Sequence, residues 1–470
     1  MKIDSIQLKH TLHFTDIKLN FNYHDLPITL ILGDQGSGKT SLLRFSYQAL
    51  TWFAARYKDL RTAGVVMLDQ DIMLARLQSK LDIQVHFPEE IGSFQPSSDQ
   101  QEIDPQACSW QLYKTLNSQA VGISKVETQQ LESMVSLYQK ALKADPLLGL
   151  PLIAYYPAER FVNDVNILNK NNPAIFQAAH AYEISAIPFT TFIRFFEWFR
   201  EISDIENAQS AQLIQDLLNH KSAVQEQSNE TTGFFSQKLM QAQADLHAPA
   251  LRSLKQALQM VLPEISNIYL QYHPKLQMMV TYQGKEMLFQ QLSNSIRNLV
   301  ALVGDIVRRM CLLNPHSLYP CQEGDGILLI DAIDHQLDQN MAQSILTRLN
   351  EAFPRLQIIA TGNRPELLEQ ASRFQCLHLV NKKLNRIEPE KMQETYEQIY
   401  QQLKLDQVDH IEAKENDDKA ASVELKEPQH STENLQNILQ QIQTQLSESQ
   451  QQELIRLLTQ AGDQTTPQTL

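Results

Sequence analysis

One stretch constrains this chain more than any other: Leu30-Ile31-Leu32-Gly33-Asp34-Gln35-Gly36-Ser37-Gly38-Lys39-Thr40-Ser41-Leu42-Leu43. A mostly apolar run, Ile28 to Leu32, reads as a buried strand that passes through a loop of the form GxxxxGKT into a helix. Glycines let backbone N–H groups wrap anionic oxygens with no Cβ in the way. The helix that follows points its positive end at the same oxygens. The loop is therefore a phosphate cradle. Gly33, Asp34, Gln35, Gly36, Ser37, Gly38, Lys39, Thr40 and Ser41 are the candidate nucleotide-binding residues, with Lys39 reaching the β- and γ-phosphates and the Thr40 hydroxyl offered to Mg²⁺. A strand–loop–helix of this kind belongs in an α/β fold, a mixed sheet flanked by helices, of P-loop NTPase class.

A phosphate loop needs a carboxylate for the metal. Gly326-Ile327-Leu328-Leu329-Ile330-Asp331 supplies one, an apolar strand covered on both faces with an acid at its C-terminal end, where such strands open into the ligand crevice. Thr40 and Asp331 are thus the candidate metal ligands, and ATP with Mg²⁺ the implied cofactors. A second apolar strand, Leu356 to Ala360, ends in Thr361-Gly362-Asn363-Arg364-Pro365. Upstream, Ser293 stands before a helical run from Asn298 to Leu313. A serine there is an N-cap, or a γ-phosphate ligand used across a dimer.

Around these motifs the chain divides unevenly. Residues 1–84 read as strand, strand, glycine loop, helix and strand, the first part of an ATPase domain. Residues 85–250 read as a mainly helical insertion, with loops near Phe87–Pro105 and Gln225–Gly233. Residues 251–404 return to strand–helix alternation and complete the domain. Residues 405–434 are polar, charged and free of aromatics, the pattern of a disordered, flexible linker. Residues 435–470 form a Gln-rich helical hairpin pattern, with Leu435, Ile438, Leu439, Ile442 and Leu446 on one face and Ser449 as the cap of a second helix. That tail is too small to hold itself together and needs the body or a partner to dock on.

The 470 residues carry a formal charge of −14, and residues 401–470, with 12 acidic and 5 basic side chains, hold half of it. The acidic balance argues against a protein that coats nucleic acid nonspecifically, though not against a local basic groove, for which Arg56, Lys58, Arg61, Arg252 and Lys255 are candidates. Four cysteines form no CxxC pair, so neither a disulfide framework nor a zinc site is expected. No apolar run is long enough for a membrane helix and the first residues lack the apolar core of a signal peptide, which points to a cytoplasmic protein with no membrane partner. His10, His13 and His410 stand alone and read as surface residues.

The ordered set of motifs resembles the ABC-type ATPases of the RecF/OLD-like group. The match is best with the branch of predicted ATP-binding proteins involved in virulence, related to the ATPase of Septu-type antiphage systems. The resemblance rests on the P-loop, on Leu292-Ser293-Asn294-Ser295-Ile296-Arg297 with the helix to Arg309, on Gly326 to Leu337, and on Phe353 to Pro365. Tyr155-Tyr156 with Arg160, and Phe195-Phe196-Glu197-Trp198-Phe199-Arg200 with Glu206-Asn207, look like that branch's middle region. It covers about residues 1–400. It implies a dimer that sandwiches two ATP molecules, with Ser293 contacting the γ-phosphate in trans and Asp334 in the loop that joins the two sites.

This chain departs from the family at the chemistry. The glutamate that polarises the attacking water is Ala332, the switch histidine is Asn363, and the signature glycine is Ser295. Gln336-Leu337-Asp338-Gln339 replaces the family's HLHP segment. General-base help is worth about 10²–10⁴-fold in rate, so the expectation is slow or absent turnover unless Asp334 or His335 acts as a substitute base. The leading expectation is an ATP-closed dimeric clamp, a homodimer or a heterodimer with a related ATPase. An active ATPase driving change on DNA or an effector, and a nucleotide-independent scaffold, are the alternatives. The resemblance implies a role in phage or plasmid defence, with a separately encoded effector. Gln70 and Gln84 are the candidates for a Q-loop glutamine.

Overall fold

The computed structural model describes residues 1–94, 104–117, 121–162, 178–182, 189–190, 192–224 and 249–388. Strands β1 (Lys2–Thr11) and β2 (Phe14–Asn20) form a hairpin whose apolar residues meet across the pair, Ile6 with Leu19 and Leu8 with Ile17. Strand β3 (Ile28–Leu32) is buried along its whole length and runs into helix α1 (Lys39–Lys58). Strands β4 (Gln78–His86), β5 (Ala107–Leu116) and β6 (Gly122–Glu127) then extend the hairpin into a five-stranded antiparallel sheet of order β2-β1-β4-β5-β6. One face is apolar by alternation, with Leu81 opposite Leu112 and Ile83 opposite Trp110. The Trp110 indole N–H donates to Ala49 O of α1 at 3.0 Å, which seats this sheet on the helix that follows the phosphate loop.

Helix α2 (Gln129–Ala144) packs on β5 and leads to β7 (Leu152–Tyr156). The two-residue strands β8 (Glu159–Arg160) and β9 (Phe189–Thr190) pair in parallel ahead of α3 (Ile193–Val224). Helix α4 (Pro249–Val261), the meander β10 (Ile265–Gln271), β11 (Gln277–Tyr282) and β12 (Lys285–Leu288), and helix α5 (Asn294–Leu313) come next. Short helix α6 (Pro320–Glu323), strand β13 (Gly326–Ile330), helix α7 (Gln339–Ala352) and strands β14 (Leu356–Thr361), β15 (Phe374–Val380) and β16 (Lys383–Arg386) complete the described chain.

The second sheet has order β16-β15-β3-β14-β13-β7, parallel except for β16. Strands β3, β13 and β14 are buried at every position, as continuous apolar runs under helices on both faces must be. Helix α1 lies against β7 on one face, and α5 packs with α3 and α4 on the other. The C-terminal ends of β3, β14, β13 and β7 therefore open at one edge, where the phosphate loop sits.

The mixed α/β class read from the sequence is the observed one. The stretch 85–250 does carry long helices, α2 and α3, but it is not set apart from the sheets. Strands β5 and β6 belong to the antiparallel sheet and β7 to the parallel one, and β4 runs through the expected boundary at residue 84. The reason is visible in Ala107–Leu116, which alternates buried and accessible residues with period two. Met1–Glu397 form one compact unit, and the second unit, Gln398–Leu470, lies outside the described residues. The linker and the helical hairpin expected at 405–434 and 435–470 lie outside them as well, as does the loop expected at Gln225–Gly233. Among the described residues no helix is long and apolar enough to cross a membrane.

Candidate nucleotide-binding site

The loop from Gly33 to Gly38 leaves the buried strand β3 and turns into the first residue of α1, Lys39. Gly38 has φ 108°, and a Cβ there would stand 2.3 Å from the His13 Nε2 atom and 2.5 Å from the Phe14 ring. The left-handed conformation and the close approach both demand glycine. Lys39 Nζ donates to the loop's own carbonyls, Gly33 O and, at 2.8 Å, Asp34 O. Burial pulls its ammonium below the ordinary lysine value, against the attraction of Asp331, Asp34 and Asp334. Asp34, Gln35, Gly36 and Thr40 are exposed, and Ser37 and Ser41 half-buried.

Across from the loop, β13 ends in Asp331, which is 2% exposed. Its Oδ1 accepts a 2.5 Å hydrogen bond from the Thr361 hydroxyl at the end of β14, while Oδ2 is buried with no hydrogen-bond partner. A buried carboxylate oxygen without a donor is costly unless a cation faces it. With the Thr40 hydroxyl at the head of α1, Asp331 would offer Mg²⁺ the hard oxygen donors it favours. The residues present therefore fit an ATP–Mg²⁺ pair.

The next turn is built differently. Ala332 has φ 44°, a left-handed conformation that disfavours any residue with a Cβ. Its N–H donates to Thr361 Oγ1 at 2.8 Å, and its carbonyl accepts from Arg160 Nη2 at 2.9 Å and from the His335 N–H at 3.1 Å. Asp334, 7% exposed, accepts the backbone N–H groups of Asn363 and Arg364 on one oxygen, at 2.7 and 2.8 Å. That carboxylate ties the turn after β13 to the turn after β14, where the exposed Asn363 stands. His335 is exposed and lines a small cavity with Arg160, Ser295, Asn298 and Gln336.

Ser293 caps α5, its Oγ accepting from Ile296 N at 3.4 Å. It makes no hydrogen bond to residues 33–41. The first turn of α5 is bonded to the loop after Asp331 instead. Ser295 Oγ donates to Gln336 O, and Asn298 Nδ2 donates to Gln336 Oε1 at 2.9 Å. One chain thus brings together the phosphate loop, Asp331 and Thr361, and leaves Ser293 on a separate, exposed surface.

Several assignments change. Gln84 sits exposed in the middle of β4 opposite Ser109, and Gln70 is exposed in the turn Asp69–Asp71, so neither stands at the end of a strand beside β13. The strand that does is β7, whose Tyr156 carbonyl accepts the Asp331 N–H at 2.8 Å. The segment after it, Pro157 to Arg160, holds no glutamine. His13 is not an isolated surface residue either. The hairpin tip folds it over the phosphate loop, with Nε2 3.2 Å from Ser37 O. His378, opposite Leu32 in β15, was overlooked. Burial lowers its imidazole below the ordinary value, Asp34 and Lys39 act on it in opposite senses, and its Nε2 has no hydrogen-bond partner. No local pattern marks either histidine, because both reach the loop through strand pairing.

Arg56 is committed to structure. It lies 5.3 Å over the Trp52 ring, donates to the Leu60 carbonyl and to Thr62 O at 3.0 Å, and pairs with Glu132 at 3.4 Å. Cys108, Cys311, Cys321 and Cys376 are free thiols, and burial pushes Cys321 and Cys376 up to about 12.

Known proteins resemble this chain in sequence. A family model described as an AAA domain matches residues 5–266. The retron Ec83 probable ATPase of Escherichia coli is 25% identical over 404 residues, which cover 78% of this chain and 69% of that one. The retron Vc95 probable ATPase of Vibrio cholerae serotype O1 biovar El Tor is 26% identical over 377 residues, 75% and 68% of the two chains. Among solved structures, an Smc head bound to the C-winged helix domain of ScpA covers 84% of this chain and 100% of its own, at 13% identity and a TM-score of 0.43.

Proposed function

The chain belongs to the AAA-domain family, as a P-loop protein of the ATPase type, and from that premise we propose that it is an ATP-binding clamp that closes as a dimer and hydrolyses its nucleotide slowly or not at all. The observation that carries this reading is the contrast at Asp331. Its buried Oδ2 has no hydrogen-bond donor and would suit Mg²⁺, and the position beside it, where the resemblance implies a water-activating carboxylate, is Ala332. Gly33 to Ser41 hold the phosphates, Lys39 neutralises charge on them, and Thr40 and Asp331 hold Mg²⁺. A bound Mg²⁺ supplies electrostatic stabilisation of the phosphate oxygens.

Asp334 is a weak candidate for the missing base, since it already holds the amides of Asn363 and Arg364. His335 faces the α5 side of the turn. Without general-base help the rate falls by about 10²–10⁴-fold. Ser293, exposed at the head of α5 and unbonded to its own phosphate loop, suits use in trans on a second copy or on a related ATPase. On the RecF/OLD-like resemblance we place the chain in the cytoplasm, in phage or plasmid defence, acting on a separately encoded effector or on DNA; the relatives' names are those of retron ATPases.

The test pairs binding with turnover on the purified chain. Fluorescent ATP is titrated with Mg²⁺, dimerisation is followed by light scattering, and phosphate release is measured against Lys39→Ala. The clamp requires saturable binding, dimerisation on ATP, and release that is either at the Lys39→Ala blank or far slower than about one per second. Steady release at about one per second or faster, ordinary for enzymes, would overturn it in favour of a working ATPase.

A further inference from the structure

Arg160 is half-buried beside the candidate site and bonded to it, and the function proposed above does not use it. Burial lowers its guanidinium to about 10 against the attraction of Asp331 and Asp334. It spends its donors on backbone carbonyls. Nη1 reaches Asp331 O and, at 2.8 Å, Pro157 O, and Nη2 reaches Ala332 O at 2.9 Å. Its own carbonyl accepts from Asn298 Nδ2 at 3.3 Å, and the same amide group bonds Gln336 Oε1.

These bonds form a continuous path. The Asp331 carboxylate accepts from the Thr361 hydroxyl, which accepts from Ala332 N–H. The Ala332 carbonyl accepts from Arg160, and the Arg160 carbonyl accepts from Asn298 on the first turn of α5. The middle of the path is a left-handed alanine pinned from both sides, with Thr361 at its N–H and Arg160 at its carbonyl. A residue held in a sparsely populated conformation by two bonds has a second conformation to go to when either bond yields. It is therefore a physical candidate for a two-state element.

We propose that Arg160 is a positioning residue that couples the metal carboxylate Asp331 to the Ser293 end of helix α5 of the same chain, through Ala332 and Asn298. This rests on the nucleotide-binding reading above and adds to it how occupancy of one half-site alters the surface that a second copy meets. Arg160 touches no nucleotide in this scheme. Its fork of donors matters, so lysine is a poor replacement.

The experiment reads hydrogen exchange of the backbone amides of residues 295–298, with and without ATP–Mg²⁺, at a protein concentration where light scattering shows a monomer. Wild type is expected to slow exchange there by about tenfold on ATP, a usual coupling size. Arg160→Lys and Asn298→Ala should each cut that response to about twofold or less, and the double variant should lose no more than either single one. Asn298→Ala, a side-chain truncation away from the phosphate loop, should bind ATP as wild type does, which keeps the test readable if Arg160→Lys folds poorly. A full exchange response in Asn298→Ala, or additive losses in the double variant, would overturn the coupling. So would a wild type that binds ATP with no change at 295–298. A wild type that fails to bind ATP would overturn the nucleotide reading first. One that binds and responds as a monomer but never dimerises would sink the clamp and leave the coupling standing.

Discussion

The ends of β3 and β13 lie two strands apart in one sheet and solve the same backbone problem in opposite ways. Each must turn sharply at the C-terminal edge. After β3 the left-handed positions are Gly33, Gly36 and Gly38, residues that adopt them freely and leave the N–H groups open to a ligand. After β13 the left-handed positions are Ala332 and Gln336, and the bonds that hold this turn come from Thr361, Arg160, Ser295 and Asn298. The first turn is open toward a ligand and the second is tied into the protein. On the proposed reading the first turn grips phosphate, and the second is a joint between helix α5 and the sheet.

That contrast can be broken by exchanging the residues. Gly38→Ala has the largest expected effect. It forces a Cβ into His13 and Phe14 at a φ only glycine favours, and should cost about 1–3 kcal/mol in strain together with saturable ATP binding. Chemical denaturation and fluorescent-ATP titration check both, and a variant that binds as wild type would mean the hairpin tip yields freely. Ala332→Glu places at this position the acid that the family resemblance implies. Because the backbone there is left-handed and Arg160 lies over the turn, phosphate release should rise by less than about tenfold. A gain of about 10²–10⁴-fold would show that the carboxylate alone was missing. Ala332→Gly has the smallest effect. Relief of the left-handed penalty, roughly 1–2 kcal/mol, offset by glycine's greater freedom when unfolded, should leave the protein up to about 1 kcal/mol more stable. A loss of stability would mean that the alanine methyl contributes packing that outweighs its strain.

The parts of the site that were legible in the sequence are those whose chemistry is local. The glycine loop, Lys39 and the strand ending in Asp331 are each read from adjacent residues, and the structure sets them facing one another. The parts that were not legible depend on what other segments bring. His13 looks like any exposed histidine until the β1–β2 hairpin folds onto Gly38. Asp334 reads as a loop acid or a substitute base until its partners prove to be amides 29 and 30 residues downstream. Arg160 stood out only through family resemblance, because nothing in its neighbours says that its fork will meet carbonyls 171 and 172 residues away. The strand Ala107–Leu116 carries a period-two pattern, yet the helical patterns that follow it, from Gln129 on, dominate a coarse reading.

The strand order has a consequence for synthesis. Strand β3, the support of the phosphate loop, is flanked on one side by β14 and on the other by β15. Both are made more than three hundred residues after it. As the chain leaves the ribosome, Ile28–Leu32 waits as a bare apolar segment with neither neighbour to pair with, a condition that favours holding by chaperones over early local folding. Nascent chains arrested before residue 380 should then be unable to retain ATP, even though every residue of the loop was translated first.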